Sequence, residues 1–311
     1  MIVNLPNTTV SQISKSLVQM REQGGAVALG SVLTLIIQTD AKSAEAAIEA
    51  ANAASKEHPS RIIVLVDPTL DVEPSLDAEI RVGGDAGASE VIVLRPAGEA
   101  ATHPQSLVMG LLLPDAPVVA WWPNGAPETV SDSAIGKIAT RRITDALSQE
   151  DPAGFLANLS KTYAPGDSDF SWTRLTLWRA QLAALLDQPP YEPIQSIEII
   201  GDLNNPSVLL LAAWLKIQLD CPVATEHRED TAGVKAVYLV RFNRPGGEIE
   251  ILRDQSNIAV LSQTNQPPKE LSLPVRSLRD CLAEDLRRLD PDVAFEKVIT
   301  IGLPLVSRQA K

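Results

Sequence analysis

The residue types that most often carry out chemistry are scarce in this chain of 311 residues, which has 3 His and 2 Cys. His58 and His103 each precede a proline, which favours extended or boundary conformations for both. His227 lies in a polar stretch, and with Cys221 it forms a C-x₅-H spacing that matches no familiar zinc pattern. The sequence therefore predicts no metal site, and Cys221 and Cys281 are typical of small core residues.

Glycine and serine motifs also fall short of catalytic or phosphate-binding patterns. Ser89 lacks the second glycine of a G-x-S-x-G nucleophile elbow, and the chain has no G-x-x-x-x-G-K-[ST] phosphate loop. Gly83, Gly84 and Gly87 form a loose relative of the dinucleotide fingerprint around Asp85. The favoured interpretation is a tight turn, because glycine adopts positive φ without strain.

The alternative interpretation makes this glycine segment a ligand loop. The protein would then be a sugar-phosphate or nucleotide binder, or a degenerate enzyme, in which Arg61, Arg81 or Arg141 contacts the anion. Against it, the aspartate inside the loop would repel pyrophosphate, and a strand-like segment follows the loop where a helix is needed. The sequence therefore predicts a protein that is not an enzyme and has no cofactor.

Charge and hydropathy narrow the class of partner. With 27 basic and 39 acidic residues, the net charge is −12, and neither half of the chain is basic, which excludes nucleic acid and anionic membrane as favoured partners. The longest apolar run, 208–215, is too short to span a bilayer. The opening MIVNLPNTTVSQ predicts no secretory signal, and two Cys in so long a chain favour the cytoplasm. Small molecules and other proteins remain as partners.

Tryptophan is concentrated in two segments, which suggests recognition of another protein. Trp121 and Trp122 end an apolar run, and since adjacent strand residues point to opposite faces, we expect one indole inside and the other outward or under a loop. An outward indole would be a candidate anchor for a partner.

The second segment runs from Trp172 to Arg179. Trp172 and Trp178 recur at helical spacing, and Arg174 lies four residues before Trp178, within reach of a cation–π contact. The segment is either the main packing helix of its domain or a helix whose Trp/Arg edge forms an interface.

The adjacent pair Arg141 and Arg142 stands in an otherwise acidic half of the chain. These two residues either pair with local carboxylates, which is the favoured interpretation, or bind an anionic partner surface.

The elements that must position these residues alternate between helix and strand. A helix to about Gln23, a strand over 32–39, a helix over 41–56 and a strand over 61–66 predict a βαβ unit with parallel pairing. The second half begins with an amphipathic helix over 171–187 and includes a predicted three-stranded meander. We therefore predict an α/β protein with an N-terminal βαβ-type mixed sheet flanked by helices and a smaller C-terminal α/β domain with a mixed sheet.

The predicted domains are residues 1–165 and 166–311. The segment 164–168 is the best linker candidate, because it combines helix breakers with polar residues.

Several stretches of the chain resemble one known family. They are Gly24–Gly30 with Val32–Leu35, His58–Arg61, Arg81–Glu90, Leu113–Pro117 with Trp121–Pro123, Arg141–Ala146, and Asp169–Arg174 with Trp178–Arg179. At these residues the chain resembles the glucose-6-phosphate dehydrogenase assembly protein OpcA family, of the actinobacterial type. The resemblance extends from the first residue to about Asp187 and continues more weakly to the end.

The resemblance implies a cytoplasmic, non-catalytic protein. It would bind glucose-6-phosphate dehydrogenase, promote the active oligomer of that enzyme and raise its activity as an allosteric activator, and so control the oxidative pentose phosphate pathway and the supply of NADPH. Combined with the residue patterns, it gives a partner interface formed by Trp121, Trp122, Arg141, Arg142, Trp172, Arg174, Trp178 and Arg179.

Overall fold

The computed structural model describes residues 1–23, 30–82, 90–189, 191–228, 236–253 and 257–307, with fourteen strands and ten α-helices among them. The strands are β1 (Ile2–Leu5), β2 (Leu33–Thr39), β3 (Ser60–Val66), β4 (Ser75–Arg81), β5 (Glu90–Ala97), β6 (Val118–Trp122), β7 (Arg141–Thr144), β8 (Asp167–Asp169), β9 (Ser196–Gly201), β10 (Val223–His227), β11 (Val237–Arg244), β12 (Gly247–Leu252), β13 (Ile258–Gln263) and β14 (Gln266–Ser272). The helices are α1 (Val10–Gln23), α2 (Ala44–Ala54), α3 (Pro104–Met109), α4 (Pro152–Thr162), α5 (Phe170–Thr173), α6 (Thr176–Leu186), α7 (Pro206–Leu219), α8 (Leu278–Arg287), α9 (Val293–Lys297) and α10 (Leu303–Ser307).

The chain forms two compact units, and each unit is assembled from three stretches of sequence. The first contains Met1–Ser148, Gly166–Ser168 and Leu278–Pro291; the second contains Gln149–Pro165, Asp169–Ser277 and Asp292–Lys311. The prediction of an α/β protein with two mixed sheets is confirmed. The domain boundary that the sequence places between residues 165 and 166 stays a prediction.

The first unit is built on an eight-stranded sheet in the order β1-β4-β5-β3-β2-β6-β7-β8. Its central strands β5, β3, β2, β6 and β7 pair in parallel, and β1 and β4 add an antiparallel edge. Numbered along the chain, the parallel strands stand in the order 3-2-1-4-5, which is that of a doubly wound sheet. In such sheets ligands bind outside the carboxyl ends of the strands, where the order reverses; here that place lies between β2 and β6.

Local sequence accounts for these elements. The apolar runs of β2 and β3 are almost wholly buried, as expected for parallel strands covered on both faces. Before α1, the Thr9 hydroxyl accepts a hydrogen bond of 3.3 Å from the backbone N–H of Gln12, a typical helix cap. The apolar residues of α2 that recur at helical spacing are buried, and α2 packs against α8.

The second unit is built on a six-stranded sheet in the order β10-β9-β11-β12-β13-β14. Among the described strands of this sheet, only the β9–β10 pair is parallel, and α7 connects these two strands. Helix α7 is apolar on nearly every side and is the central buried helix of the unit. Asn205 caps it, its side-chain oxygen accepting from the backbone N–H of Ser207 at 3.0 Å.

Helix α7 is covered by the last helical stretch of the chain. A π-helical turn, Val298–Gly302, joins α9 to α10 and packs against α7. Gly302 allows the close approach, because a Cβ at this position would lie 2.8 Å from the carbonyl oxygen of Ala213.

Among the described residues, none of the helices has the length and apolarity needed to cross a lipid bilayer.

Two predicted elements differ from the structure. The predicted helix over 171–187 is broken into α5 and α6, because the Thr173 carbonyl oxygen accepts side-chain hydrogen bonds from Thr176 at 2.9 Å and from Arg276 at 3.4 Å. The predicted linker over 164–168 runs into strand β8, which is buried. The predicted helix stop at Gly24 and Gly25 lies outside the described residues.

Candidate functional site

The Trp/Arg segment of the second unit forms a stacked cluster. Helix α5 places Trp172 inside the unit, 2% exposed, and its indole N–H donates to Asp292 Oδ2 at 2.9 Å. The guanidinium carbon of Arg179 lies 3.6 Å from the centre of the Trp172 ring, a close cation–π contact. Phe295 packs beside the same indole, with ring centres 6.0 Å apart. Trp172 is therefore a core residue that fixes the position of Arg179, whose side chain is partly exposed.

The break between α5 and α6 changes the predicted partner of Trp178. The guanidinium carbon of Arg174 lies over the ring of Phe170, 6.0 Å from its centre. The guanidinium carbon of Arg253, the residue that follows β12, lies 5.3 Å from the centre of the Trp178 ring. Arg253 is buried, and its Nη2 donates to the carbonyl oxygen of Val237 at 3.2 Å. The cation–π partner that the structure gives Trp178 is thus Arg253, which sequence spacing does not indicate.

An open cavity adjoins this cluster within the second unit. It has about 310 Å³ of empty space, including solvent at its mouth, and Arg174, Trp178, Arg253 and Arg276 contribute to its wall. The buried indole N–H of Trp178 has no acceptor in the described part of the chain. Of the three guanidinium groups at this wall, Arg253 and Arg276 also donate to backbone carbonyl oxygens within the unit.

Arg141 and Arg142 on β7 are buried in ion pairs inside the first unit. Arg141 Nη2 lies 2.5 Å from Asp285 Oδ1 on α8, and Arg142 Nε donates to Asp167 Oδ1 on β8. Ser168 also donates to Asp285, at 2.6 Å. Of the two interpretations, pairing with carboxylates is therefore the one the structure supports, although Asp285 is distant in sequence.

Trp121 and Trp122 are both fully buried, at 0% exposure. Strand β6 pairs in parallel with a neighbour on each side, and parallel strands of this kind are covered on both faces. The Trp122 indole N–H donates to Gln38 Oε1 at 3.1 Å. Of the two positions expected for the second indole, outward or under a loop, the outward one is wrong, because β6 has a parallel neighbour on each side and both indoles are buried.

The glycine segment with Gly83, Gly84 and Gly87 lies outside the described residues. The two arginines assigned to a ligand loop beside it are held in ion pairs. Arg61 Nη2 lies 3.0 Å from Glu90 Oε2, and its Nη1 donates to the carbonyl oxygen of Leu111. Arg81 pairs with Glu79 and, through two nitrogens, with Glu45.

The contact between Arg81 and Glu45 shifts the pKa values of both side chains. Hydrogen bonding to Arg81 lowers the pKa of Glu45, and the same contact raises the pKa of Arg81. The charge of Arg61 and Arg81 is therefore already compensated by carboxylates of the first unit.

The described residues bring together no group of three or more His, Cys, Asp or Glu side chains that could hold a metal ion. His227, in the polar stretch, is the last residue of β10, and its Nδ1 accepts a long hydrogen bond of 3.3 Å from the backbone N–H of Leu203. Cys221 and Cys281 are buried thiols, as predicted, and burial raises the pKa of Cys221.

Comparison with known families shows which family the chain belongs to. Residues 51–161 match the family described as the glucose-6-phosphate dehydrogenase subunit N-terminal domain, and residues 165–299 match the corresponding C-terminal domain. The chain belongs to the OpcA glucose-6-phosphate dehydrogenase assembly family. Both domains of the family are thus present in this OpcA-family protein, in the expected order. No curated protein sequence matches the chain significantly.

Solved structures similar to this OpcA-family protein are oxidoreductases. An oxidoreductase from Sinorhizobium meliloti has 10% identity and a TM-score of 0.49, with 88% of this chain and 95% of that chain covered. Levoglucosan dehydrogenase in complex with NADH and L-sorbose has 8% identity and a TM-score of 0.44, with 89% and 97% covered. A Gfo/Idh/MocA family oxidoreductase from Vibrio cholerae has 11% identity and a TM-score of 0.40, with 90% and 100% covered. Similarities at this level do not bear on what the present chain binds or does.

Sequence reasoning missed the residues that complete these clusters. Asp285 and Arg253 lie far along the chain from Arg141 and Trp178, and no local pattern connects them. The pairing of Asp167 could have been predicted, because a buried strand that starts with an acidic residue needs a cation nearby. Its Gly/Pro-rich flank favoured a linker instead.

Proposed function

We propose that this protein is a non-catalytic assembly factor and activator of glucose-6-phosphate dehydrogenase. In the cytoplasm it promotes the active oligomer of the dehydrogenase and so controls the flux of the oxidative pentose phosphate pathway and the supply of NADPH. The observation that carries the proposal is the match of residues 51–161 and 165–299 to the two dehydrogenase-subunit domains. The pairing of Arg61, Arg81, Arg141 and Arg142 with carboxylates or carbonyl groups also favours a structural role for these arginines over catalysis.

Activation without chemistry acts through differential binding. A partner shifts the dehydrogenase toward its active oligomer only if it binds that state more tightly than the inactive one. A tenfold preference corresponds to about 1.4 kcal/mol, which a few well-placed contacts can supply.

We place the contact with the dehydrogenase on the Arg174–Arg179 edge, which we define as the partly exposed side chains of Arg174 and Arg179 with the cavity beside Trp178. Trp172 and Trp178 are buried and support this edge from below. The arginine-rich wall of the cavity favours an acidic side chain of the partner by charge. The proposed contact surface does not include Trp121, Trp122, Arg141 and Arg142, because their side chains are buried.

The decisive experiment assays the dehydrogenase with and without this protein over a range of glucose 6-phosphate concentrations, together with its oligomeric state by light scattering. We expect a higher rate and a shift to the larger oligomer. If neither the rate nor the oligomeric state of the dehydrogenase changes, the proposal is refuted. If the two proteins co-purify but the rate of the dehydrogenase does not change, the protein is a structural scaffold without regulatory effect.

The same assay tests the edge. Arg174→Glu and Arg179→Glu, checked for wild-type melting, should each weaken activation about tenfold or more, because each places a carboxylate against an acidic partner group. Lys269→Glu on β14 makes the same charge change at an exposed position and should leave activation unchanged. If both arginine variants fold and activate as wild type does, the interface lies elsewhere.

A further inference from the structure

The doubly wound sheet has a crevice at its switch point, outside the carboxyl ends of β2 and β6. In dinucleotide-binding sheets of this strand order, the helix after the first parallel strand directs its N-terminal N–H groups at the pyrophosphate. The corresponding elements are β2 and α2, joined by Asp40-Ala41-Lys42-Ser43. The fold therefore raises the question of whether a dinucleotide fits here.

A carboxylate of the protein already lies at the start of α2. Asp40 Oδ1 accepts a hydrogen bond of 2.7 Å from the backbone N–H of Ser43. That bond is the largest cause that lowers the pKa of Asp40, and the backbone N–H of Lys42 acts in the same direction. Backbone donors of the turn that leads into α2, on Ser43 and Lys42, are thus engaged by an anion of the chain itself.

Asn124, in the loop after β6, ties this carboxylate in place. Its side-chain nitrogen donates to Asp40 Oδ2 and, at 3.0 Å, to the Ser43 hydroxyl. Its side-chain oxygen accepts from the Thr39 hydroxyl at 3.0 Å. The amide therefore bridges the ends of β2 and β6 across the switch point.

The residues of the crevice do not fit a dinucleotide. The β2–α2 turn contains no glycine, whereas close approach of a pyrophosphate needs glycines and bare N–H groups. Asp67, directly after β3, is placed like the acidic residue that binds the ribose in dinucleotide folds. Loss of solvent and then the charge of Asp40 raise the pKa of Asp67, so a second carboxylate lies near Asp40 where a phosphate would have to enter.

We propose that Asp40 is a built-in replacement for phosphate, a carboxylate that occupies the anion position of the turn between β2 and α2 and is held there by Asn124. The wild-type crevice therefore takes neither a pyridine dinucleotide nor free phosphate. Removing the carboxylate reopens an anion site at the same N–H groups. This inference does not depend on the proposed function, because activation of the dehydrogenase does not enter it.

Anion rescue tests the proposal. Melting temperatures of wild type, Asp40→Ala and Asp67→Ala are measured in inorganic phosphate and in chloride at equal ionic strength. Asp40→Ala should melt roughly 2–5 °C lower than wild type in chloride, as for loss of a hydrogen bond to a charged group, and should regain at least half of that loss in phosphate. Wild type and Asp67→Ala show the general effect of phosphate, which should be smaller.

A second variant distinguishes loss of the whole side chain of Asp40 from loss of its negative charge alone. Asp40→Asn keeps an oxygen acceptor in the same place, so it should show no phosphate response beyond that of wild type. NADP⁺ should not raise the melting temperature of the wild-type protein. The proposal is overturned if Asp40→Ala responds to phosphate no more than Asp67→Ala does, if it stays unfolded in phosphate, or if NADP⁺ stabilises wild type.

Discussion

At the scale of single residues, two neighbouring carboxylates have opposite effects on folding. Asp40 accepts hydrogen bonds that favour its charged form, and its pKa is lowered. Asp67 loses solvent and faces Asp40, and its pKa is raised. By linkage, a carboxylate with a lowered pKa stabilises the fold once it is ionised, whereas one with a raised pKa destabilises it on ionisation.

The first prediction follows from these signs. At pH 7, Asp40→Asn should lower the free energy of unfolding and Asp67→Asn should raise it, as measured by urea denaturation. The stabilisation by Asp40 is present above its unfolded pKa, about 3.9, and is lost as the pH falls through its lower folded pKa. The penalty from Asp67 disappears as the pH falls from its raised folded pKa to its unfolded value.

Both variants should therefore approach wild type from opposite sides as the pH falls below the unfolded aspartate value of about 3.9. Differences that persist unchanged below that pH would show that the substitutions act by packing and not by charge.

At the scale of helices and strands, close packing of α7 against the π-helical turn is the feature most open to test. Gly302→Ala should destabilise the protein by about 1–3 kcal/mol, because the new Cβ would lie 2.8 Å from the Ala213 carbonyl oxygen and 3.2 Å from the Ala213 Cβ. Gly30→Ala is the matched control, since nothing lies within 4 Å of its Cβ position; we expect a change within about 0.5 kcal/mol. Equal urea midpoints for the two variants would contradict a tight contact at Gly302.

Elements with a strong local signal could be predicted from the sequence. The apolar runs of β2, β3 and β6 and the capped, proline-started α7 need no long-range information. The edge strands β1, β10 and β14 were missed, because a strand paired on one side buries few residues and carries little periodicity.

The candidate site was less predictable for a different physical reason. Clustering of tryptophan and arginine located the Trp172–Arg179 segment, but composition does not distinguish an exposed anchor from a buried core residue. The partners that settle the matter, such as Asp285 for Arg141, come from stretches that only the folded chain brings together.

At the scale of the whole molecule, the two units share the chain in an interleaved way. The first unit needs β8 and α8, which follow the predicted boundary at residue 165, while α4 precedes that boundary and belongs to the second unit. Cutting the chain at the boundary would therefore remove parts of one unit and leave a part of the other.

The last prediction concerns a fragment of residues 1–165. It would leave Arg141 without Asp285 and Arg142 without Asp167, and it would expose the apolar face of α4, which includes Leu156 and Leu159. Each broken buried pair costs about 3–5 kcal/mol, and two such losses compare with the whole stability of a typical domain. We expect this fragment to show no cooperative unfolding in urea. A fragment that joins residues 1–148, 166–168 and 278–291 through Gly/Ser linkers should unfold cooperatively, because it restores both ion pairs. Cooperative unfolding of residues 1–165 at the same midpoint as the joined fragment would mean that β8 and α8 are dispensable to the first unit.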